Sequence, residues 1–207
     1  MTESRVERKE RTRRAILDAA LDLCEDSTLM ALSLRQVAKE VGVVPTAFYR
    51  HFDSIEQLGL ALVEESFVSL RAMMRDVRRR NDPGFREVID GSVDVLVRHV
   101  RLQERQFAFI ARERFAGPPA VREAIAREIA LFERELATDL ARLPGTDTWS
   151  GDDLRVVSNL IVNAMVATVE NVLTARPGSD AERRFADTAR TQLRMLMIGA
   201  LNWDSTR

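Results

Sequence analysis

The sequence predicts an all-α protein, and three features of its 207 residues support this prediction. Apolar residues recur at i, i+3 and i+4 in successive segments, which is the spacing of an amphipathic helix. From residue 54 onward, no segment alternates apolar and polar residues with the period of two that a half-buried strand shows. Short runs of glycine and proline separate the segments. We expect about nine helices, divided between a small three-helix domain at residues 1–53 and a larger helical domain at residues 54–207.

Residues 33–52, SLRQVAKEVGVVPTAFYRHF, predict two short helices joined by a tight turn. Ser33 can cap the first helix, and Gln36 stands three residues later, where it completes a capping box. Gly42 follows the last apolar residue of that helix, where a left-handed residue commonly ends a helix. Pro45 suits the first turn of the next helix, because its missing N–H has no partner at that position.

The second helix of this pair divides its side chains between an inner and an outer face. Phe48 and Phe52 are four residues apart and are expected to face the core. The other side chains lie on the sides, the flank and the far face: Thr46, Ala47, Tyr49, Arg50 and His51. A DNA-binding helix-turn-helix needs this division, since one face packs while the other enters the major groove. Taken alone, the pair is also compatible with an ordinary helical hairpin inside an all-helical domain.

The segments on both sides of this helical pair favour DNA binding. Residues 8–14, RKERTRR, carry five basic residues against one acidic residue. Ser54 and Gln57 form a second cap pair, so a new helix is expected to begin next to Asp53. Helix starts present free N–H groups and a positive dipole end, which suit contact with phosphate. A basic arm, a recognition helix and a phosphate-facing helix start within about fifty residues predict a DNA-binding domain.

This order of segments resembles the TetR family of one-component bacterial regulators. The matching stretches are RTRRAILDAALDL, SLRQVAKEVGV and the FYRHF ending that a short acidic link follows. The resemblance implies that Arg35 and the outer residues of the second helix face DNA. Arginine pairs bidentately with guanine O6 and N7, so Arg35 and Arg50 are the best candidates for base recognition. The predicted DNA-binding residues are Arg13, Arg14, Ser33, Arg35, Thr46, Ala47, Tyr49, Arg50 and His51.

Different contacts are expected from the remaining members of this set. Tyr49 and His51 are expected to hydrogen-bond phosphates and set the register on the duplex. Ala47 suits contact with a thymine methyl group. Arg13 and Arg14 belong to the basic arm and are expected to bind phosphates whatever the base sequence.

Composition places the chain among soluble globular proteins, with 45% hydrophobic and 30% charged residues. The net charge of −1 argues weakly against a nonspecific nucleic-acid binder, so the basic residues matter through clustering. The single cysteine, Cys24, excludes an internal disulfide and suits a reducing compartment. The N-terminus lacks the apolar core of a signal peptide, and no apolar run is expected to have the length needed to span a bilayer. We therefore expect a cytoplasmic protein without membrane contact.

The larger domain is predicted to contain six helices in succession. A long helix at residues 55–80 ends at Asn81-Asp82-Pro83-Gly84, and a second follows at residues 85–101. A shorter helix at residues 103–115 is separated by Gly117-Pro118-Pro119 from another at residues 120–143. Residues 144–151 predict a loop. The last two helices are expected at residues 152–175 and 179–203.

The last two helices carry apolar residues over a broad arc, which indicates partners on two sides. One partner is the domain itself, and the other is predicted to be a second copy of the chain. A large monomeric core is the alternative that the pattern leaves open. The TetR resemblance implies a dimer formed through a four-helix bundle of these two helices. A twofold pair of DNA-binding domains matches a palindromic operator with half-sites roughly 34–36 Å apart.

The middle helices contain the candidate residues for effector binding. Apolar side chains at helical spacing are typical of an ordinary core, but they also suit a pocket for a long apolar ligand. Arg112 has a guanidinium suited to the phosphates or polar end of a lipid, or else to an ion-pair network that fixes helix packing. The predicted ligand-binding residues are Phe67, Leu70, Met74, Val93, Leu96, Phe109, Arg112, Phe132 and Met165.

A second resemblance concerns the effector. The stretches ESFVSLRAMMRD, FIARERF, VREAIAREIALFERELATDL and TQLRMLMIGALNW are similar to the fatty-acid-responsive branch of the TetR family typified by FabR and DesT. This resemblance implies a long-chain acyl-CoA effector, no other cofactor, and control of fatty acid or lipid metabolism genes, most simply as a repressor.

Two other functions fit the sequence less well. A TetR-type regulator of drug efflux would bind aromatic or cationic molecules, but such pockets usually carry buried carboxylates and several Trp or Tyr residues. An enzyme is disfavoured because the sequence has two histidines, no glycine-rich phosphate loop, no nucleophile elbow and no Cys/His cluster with metal spacing. We therefore expect neither catalytic residues nor a metal site.

Overall fold

The computed structural model of the protein describes residues 4–78, 85–143, 145–146 and 148–204. In these residues the chain forms nine α-helices and one short 3-10 helix, and it contains no strand. The α-helices are α1 Arg5–Leu23, α2 Leu34–Val41, α3 Pro45–Phe48, α4 Ile55–Arg78, α5 Phe85–Leu102, α6 Glu104–Ala116, α7 Pro119–Leu140, α8 Gly151–Thr174 and α9 Asp180–Leu201. The 3-10 helix Leu29–Ala31 lies between α1 and α2. The all-α prediction is confirmed.

The chain folds into two compact units. Unit 1 comprises Met1–Val68 and Arg105–Ala126, and unit 2 comprises Ser69–Glu104 and Arg127–Arg207. Helices α4 and α7 contribute residues to both units, and the first residue of α6, Glu104, belongs to unit 2. The functional boundary predicted after residue 53 stays a prediction, and unit 1 extends beyond it to the first half of α4 and nearly all of α6.

The core of unit 1 is made by apolar side chains of α1, α2, α3 and α4, together with the 3-10 helix. Its fully buried members include Ile16, Leu29, Val37, Phe48, Leu58 and Leu62. Cys24 is also buried and unbridged, as predicted. Gly59 allows close packing here, because a Cβ at this position would stand 2.3 Å from Leu29 Cδ2.

Side-chain caps define the helix starts in unit 1 as the sequence predicts. The Ser33 hydroxyl accepts the Gln36 N–H at 3.2 Å, and Gln36 Oε1 accepts the Ser33 N–H at 2.8 Å. The Ser54 hydroxyl accepts the Gln57 N–H at 3.1 Å at the start of α4. Gly42 ends α2 with φ +73°, a left-handed conformation that glycine adopts without steric penalty.

The helix after Pro45 is shorter than the spacing of Phe48 and Phe52 suggests. Regular α-helix ends at Phe48, and turns continue the chain, with the His51 N–H donating to the Phe48 carbonyl at 2.8 Å. The Phe52 N–H also donates to that carbonyl, at 3.2 Å. The two phenylalanine rings still pack together, with centroids 5.9 Å apart. The inward face was therefore predicted correctly, although helix does not continue to Phe52.

Unit 2 is built around α5, α8 and α9. Its buried cluster consists of Ile89, Val93, Leu140, Ile161, Ala186, Ala189, Leu193 and Met197. Ion pairs reinforce the packing of α5 against α9, including Arg101 Nε to Glu182 Oε2 at 2.6 Å. A further pair joins Arg71 of α4 to Glu128 of α7, also at 2.6 Å.

The helix limits in unit 2 differ from the predicted ones by one to three residues where both ends are described. The break predicted at residues 81–84 lies outside the described residues, as do Pro144 and Asp147 of the predicted loop. Helix α8 is long and apolar enough to cross a membrane by length and composition. The expectation that no apolar run has this length was therefore wrong, although the core helix of a soluble protein passes the same test.

Candidate nucleic-acid interface

The outer side of α3 and of the turns that follow it presents polar and aromatic side chains to solvent. Tyr49 is 52% exposed, and Thr46 and Arg50 are exposed as well. Ala47 is half-buried. Phe48 is fully buried on the opposite side, and its ring meets that of Tyr49 edge-on at 6.2 Å. This buried ring fixes the backbone from which Tyr49 and Arg50 project.

Helix α2 contributes one free surface residue and one cap to the same region. Arg35 is exposed on the first turn of α2. Ser33 is also exposed, but its hydroxyl both accepts the Gln36 N–H and donates to Gln36 Oε1 at 2.9 Å. A DNA contact by the Ser33 hydroxyl would therefore compete with its capping hydrogen bonds. Arg35, by contrast, is exposed and available for DNA.

The two arginines predicted to bind phosphates already have partners within unit 1. The Arg13 guanidinium carbon lies 5.0 Å from the centroid of the Phe52 ring, which is a cation–π geometry. Arg14 Nη2 lies 3.3 Å from Glu65 Oε1, and both side chains retain solvent contact. An exposed ion pair of this kind contributes about 0–1 kcal/mol, so a DNA phosphate can replace Glu65 as the partner of Arg14.

His51 is half-buried, whereas Thr46, Tyr49 and Arg50 of the same predicted set are exposed. Its Nδ1 is buried without a hydrogen-bond partner in the described residues. Burial lowers the pKa of His51 below its usual value, and the positive charges of Lys9 and Arg13 lower it further. The lowered pKa makes the imidazole harder to protonate, which disfavours a charged contact between His51 and a phosphate.

Val44 is a surface residue that the predicted site does not include. It precedes Pro45 at the start of α3 and is 64% exposed. Its signal in the sequence is an apolar residue at a helix-capping position, where serine, threonine, aspartate or asparagine is preferred. An exposed valine beside Thr46 suits apolar contact with a thymine methyl group.

Comparison with known proteins identifies this segment. Residues 16–62 match the sequence profile of the family described as "Bacterial regulatory proteins, tetR family". The match runs from the middle of α1 into the first half of α4 and contains the whole helix-turn-helix. These residues form a TetR-type DNA-binding domain. The prediction of a TetR-type DNA-binding domain is confirmed for these residues.

Solved structures of TetR-type and fatty-acid regulators share the fold of this chain. The fatty acid degradation regulator FadR from Bacillus halodurans is 14% identical, with a TM-score of 0.71 over 96% of this chain and 98% of that one. FadR from Bacillus subtilis, solved in complex with stearoyl-CoA, is 17% identical, with a TM-score of 0.68 over 90% and 98%. The TetR family regulator PfmR from Thermus thermophilus is 19% identical, with a TM-score of 0.65 over 86% and 97%.

The predicted ligand-binding residues are divided between the two units. Phe67 and Phe109 are buried in unit 1. Leu70, Val93, Leu96, Phe132 and Met165 belong to unit 2, where Val93 lies in the buried cluster and Met165 packs against it. The side chain of Met74 lies outside those that the structure describes. Within unit 2, Val93 and Met165 are thus the predicted pair that the structure brings into one cluster.

A cleft of about 490 Å³ in unit 2 has a different, charged lining. It lies between α5 and α9 and is lined by Asp94, Val97, Arg98, Arg101, Glu182, Arg183, Ala186, Asp187 and Arg190. The residues predicted for ligand binding are not among these. Several arginines of the cleft are already paired, such as Arg190, whose Nη1 lies 2.7 Å from Asp187 Oδ1. The cleft therefore resembles a packed ion-pair network more than a pocket for an acyl chain.

Proposed function

We propose that this protein is a homodimeric TetR-type repressor of fatty acid or lipid metabolism genes in the cytoplasm, whose affinity for a palindromic operator is modulated by long-chain acyl-CoA. The observation that carries the DNA-binding part is the exposed Tyr49 and Arg50 surface behind a buried Phe48, inside the segment that matches the family. Base recognition is assigned to Arg35 and Arg50, since arginine distinguishes guanine in the major groove.

The exposed apolar surface of α8 and α9 supports the homodimer. Val156 and Leu160 on α8 are 58% and 49% exposed, and Met195 and Ile198 on α9 are 69% and 64% exposed. Such side chains on two neighbouring helices favour association with a second copy, because burial of apolar surface stabilises the complex. Ala164, by contrast, packs against the buried cluster of unit 2. The proposed interface is therefore centred on Leu160 and Ile198.

The acyl-CoA effector is supported by chemistry and by one structural relative. FadR from Bacillus subtilis was solved with stearoyl-CoA, and its fold matches 90% of this chain. This chain places buried or half-buried apolar side chains at Leu70, Leu96 and Met165, which suit an acyl chain. Helix α4 continues from the DNA-binding segment into unit 2, so we assign it the task of linking ligand binding to operator binding. An effector acts this way only if it binds the two states with different affinities.

The effector proposal predicts a dependence on acyl-chain length. Each CH₂ group transferred from water to an apolar site contributes about 0.8 kcal/mol, which is roughly a fourfold gain in affinity per methylene. Affinity should therefore rise steeply from octanoyl-CoA to stearoyl-CoA, and long chains should change the dissociation constant for the operator by about 5- to 150-fold. Calorimetry gives ligand affinity, and fluorescence anisotropy of a labelled operator duplex gives DNA affinity.

Three controls make this measurement decisive. Coenzyme A alone shows how much of the binding comes from the nucleotide part of the ligand. A comparison of stearoyl-CoA with oleoyl-CoA shows whether a bent acyl chain acts differently from a straight one. A planar cationic drug tests the efflux alternative, with the free duplex titrated in parallel because such drugs bind DNA themselves. A response to the drug without any response to either long-chain acyl-CoA would replace the lipid proposal with the efflux proposal.

A further inference from the structure

Two adjacent residues of α6 hold the segment that joins α1 to α2. Arg112 and Glu113 both belong to unit 1, as does this segment, residues 24–29. The sequence predicts a ligand contact for Arg112, with an ion-pair network as the alternative, whereas the structure directs both side chains at backbone atoms. We propose that Arg112 and Glu113, together called the α6 clasp, are positioning residues for sequence-specific DNA binding.

Arg112 supplies the positive charge that the C-terminal end of α1 lacks. The last turn of α1 contains no basic residue. Nη1 of Arg112 donates to the carbonyls of Cys24 and Ser27, the latter at 2.5 Å, and Nη2 donates to the Glu25 carbonyl at 2.7 Å. The last carbonyls of a helix have no donors within the helix and form the negative end of its dipole. One guanidinium therefore binds the carbonyl of Cys24, the C-cap of α1, and two carbonyls of the segment that follows.

Glu113 supplies the matching acceptor at the start of the 3-10 helix. Its side chain is fully buried, and Oε1 accepts the Leu29 N–H at 3.0 Å. Thr28, which precedes this helix, makes no side-chain cap of its own. Burial raises the pKa of the Glu113 carboxyl, while the Leu29 N–H and the charge of Arg112 act in the opposite direction. The carboxyl of Glu113 thus takes the place of a missing N-cap.

The segment held by the α6 clasp leads directly into the helix-turn-helix. Leu29 is fully buried, and only the rest of the 3-10 helix and Leu32 separate it from the Ser33 cap of α2. Fixing residues 24–29 therefore fixes α2 with respect to α1. The exposed Arg35 of α2 and the basic arm of α1 must engage one duplex together, since phosphate contacts set the register in which bases are recognised.

The consequence is a distinction between specific and nonspecific binding. Base contacts require aligned hydrogen bonds, whereas the attraction between a basic surface and phosphates tolerates small shifts. Loosening the α6 clasp should therefore weaken operator binding and leave binding to random sequence nearly intact. Because the clasp lies on α6, a displacement of that helix reaches the DNA-binding surface through it. The inference rests on the operator binding of the proposed function and is independent of the effector.

The test compares four variants on two duplexes of equal length, one with the operator and one with random sequence. Arg112→Lys keeps the charge but loses the planar fork, and Glu113→Leu removes the acceptor at similar volume. Glu113→Gln keeps an amide oxygen for the Leu29 N–H. Arg114→Ala is the control on the same helix, because the Arg114 guanidinium lies over the Phe115 ring at 4.4 Å. Thermal unfolding of each free protein is followed by circular dichroism.

We expect Arg112→Lys and Glu113→Leu to weaken operator binding by about 3- to 30-fold, with random-duplex affinity within about twofold of wild type. Glu113→Gln and Arg114→Ala should bind as the wild type does. Wild-type operator affinity in folded Arg112→Lys would overturn the inference, even if Glu113→Leu failed to fold. Equal losses on both duplexes would also overturn it, since they indicate a general structural role. If the wild-type protein binds the operator duplex no better than the random duplex, the proposed function itself is refuted. This comparison is made before any variant is measured.

Discussion

Glutamate at both Leu160 and Ile198 is expected to convert the protein into a monomer and to weaken operator binding by about 10²- to 10⁴-fold. Both side chains are exposed on the outer surface of α8 and α9, while the buried cluster of unit 2 lies on the inner side of these helices. The charges would therefore destabilise the dimer and spare the core. A monomer cannot bind the second half-site, which in the dimer is presented at a high effective concentration.

Sedimentation velocity at micromolar concentration measures the mass, and anisotropy on the operator duplex measures the affinity. Leu102→Glu is the matched control, because Leu102 is a 71% exposed leucine at the end of α5. It should remain dimeric and bind the operator normally. A monomeric wild type, or a double variant that stays dimeric with full operator affinity, would show that α8 and α9 do not form the interface. Ala164→Glu is a poorer test, because its charge would enter the core.

Replacement of Arg50 by alanine is expected to weaken operator binding by about 1–3 kcal/mol and to relax specificity at one base pair in each half-site. Arg50 is exposed and follows the buried Phe48 by two residues, so its loss leaves the packing of unit 1 unchanged. Tyr49→Ala should weaken binding without changing base preference, since its predicted partner is a phosphate.

Arg14→Ala is the control that separates base recognition from phosphate binding. Its guanidinium pairs with Glu65 at the surface, and its predicted DNA partner is a phosphate. The variant should bind all sequences more weakly. In a plot of log binding constant against log salt concentration, its slope should be shallower by about one unit for each phosphate that the protein no longer neutralises. If Arg50→Ala and Tyr49→Ala both bind the operator with unchanged affinity, the outer face of α3 is not the recognition surface.

The sequence was informative wherever a helix limit is encoded by one local residue. Ser33 and Ser54 begin helices through side-chain caps, and Gly42 ends α2 in a left-handed conformation. The end of α3 has no such signal, because turn hydrogen bonds and the packing of Phe52 determine it. Nor did the sequence show which face of the last two helices is exposed. Leu160 and Ala164 are both apolar, and only the packed structure shows that the first is exposed and the second is not.

The sequence also did not predict which partners the charged residues of the candidate sites have in the fold. Helical spacing predicts that Arg112 lies on α6, but its three carbonyl partners are more than eighty residues away along the chain. The burial of Glu113 depends on the same distant segment. For His51, spacing places the side chain on a flank, while its pKa is lowered by burial and by the charges of Lys9 and Arg13 on α1. Long-range packing decides these roles, and periodicity within one helix carries no information about it.

Selection of bound duplexes from a random library tests most directly whether a pair of TetR-type domains in this protein recognises palindromic DNA. Wild-type protein should enrich an inverted repeat whose half-sites are centred about one helical turn, roughly 34–36 Å, apart. The Arg50→Ala variant should enrich the same repeat with one position in each half-site relaxed. Enrichment of no sequence, or of a single unpaired site that is identical for wild type and variant, would contradict this mode of recognition.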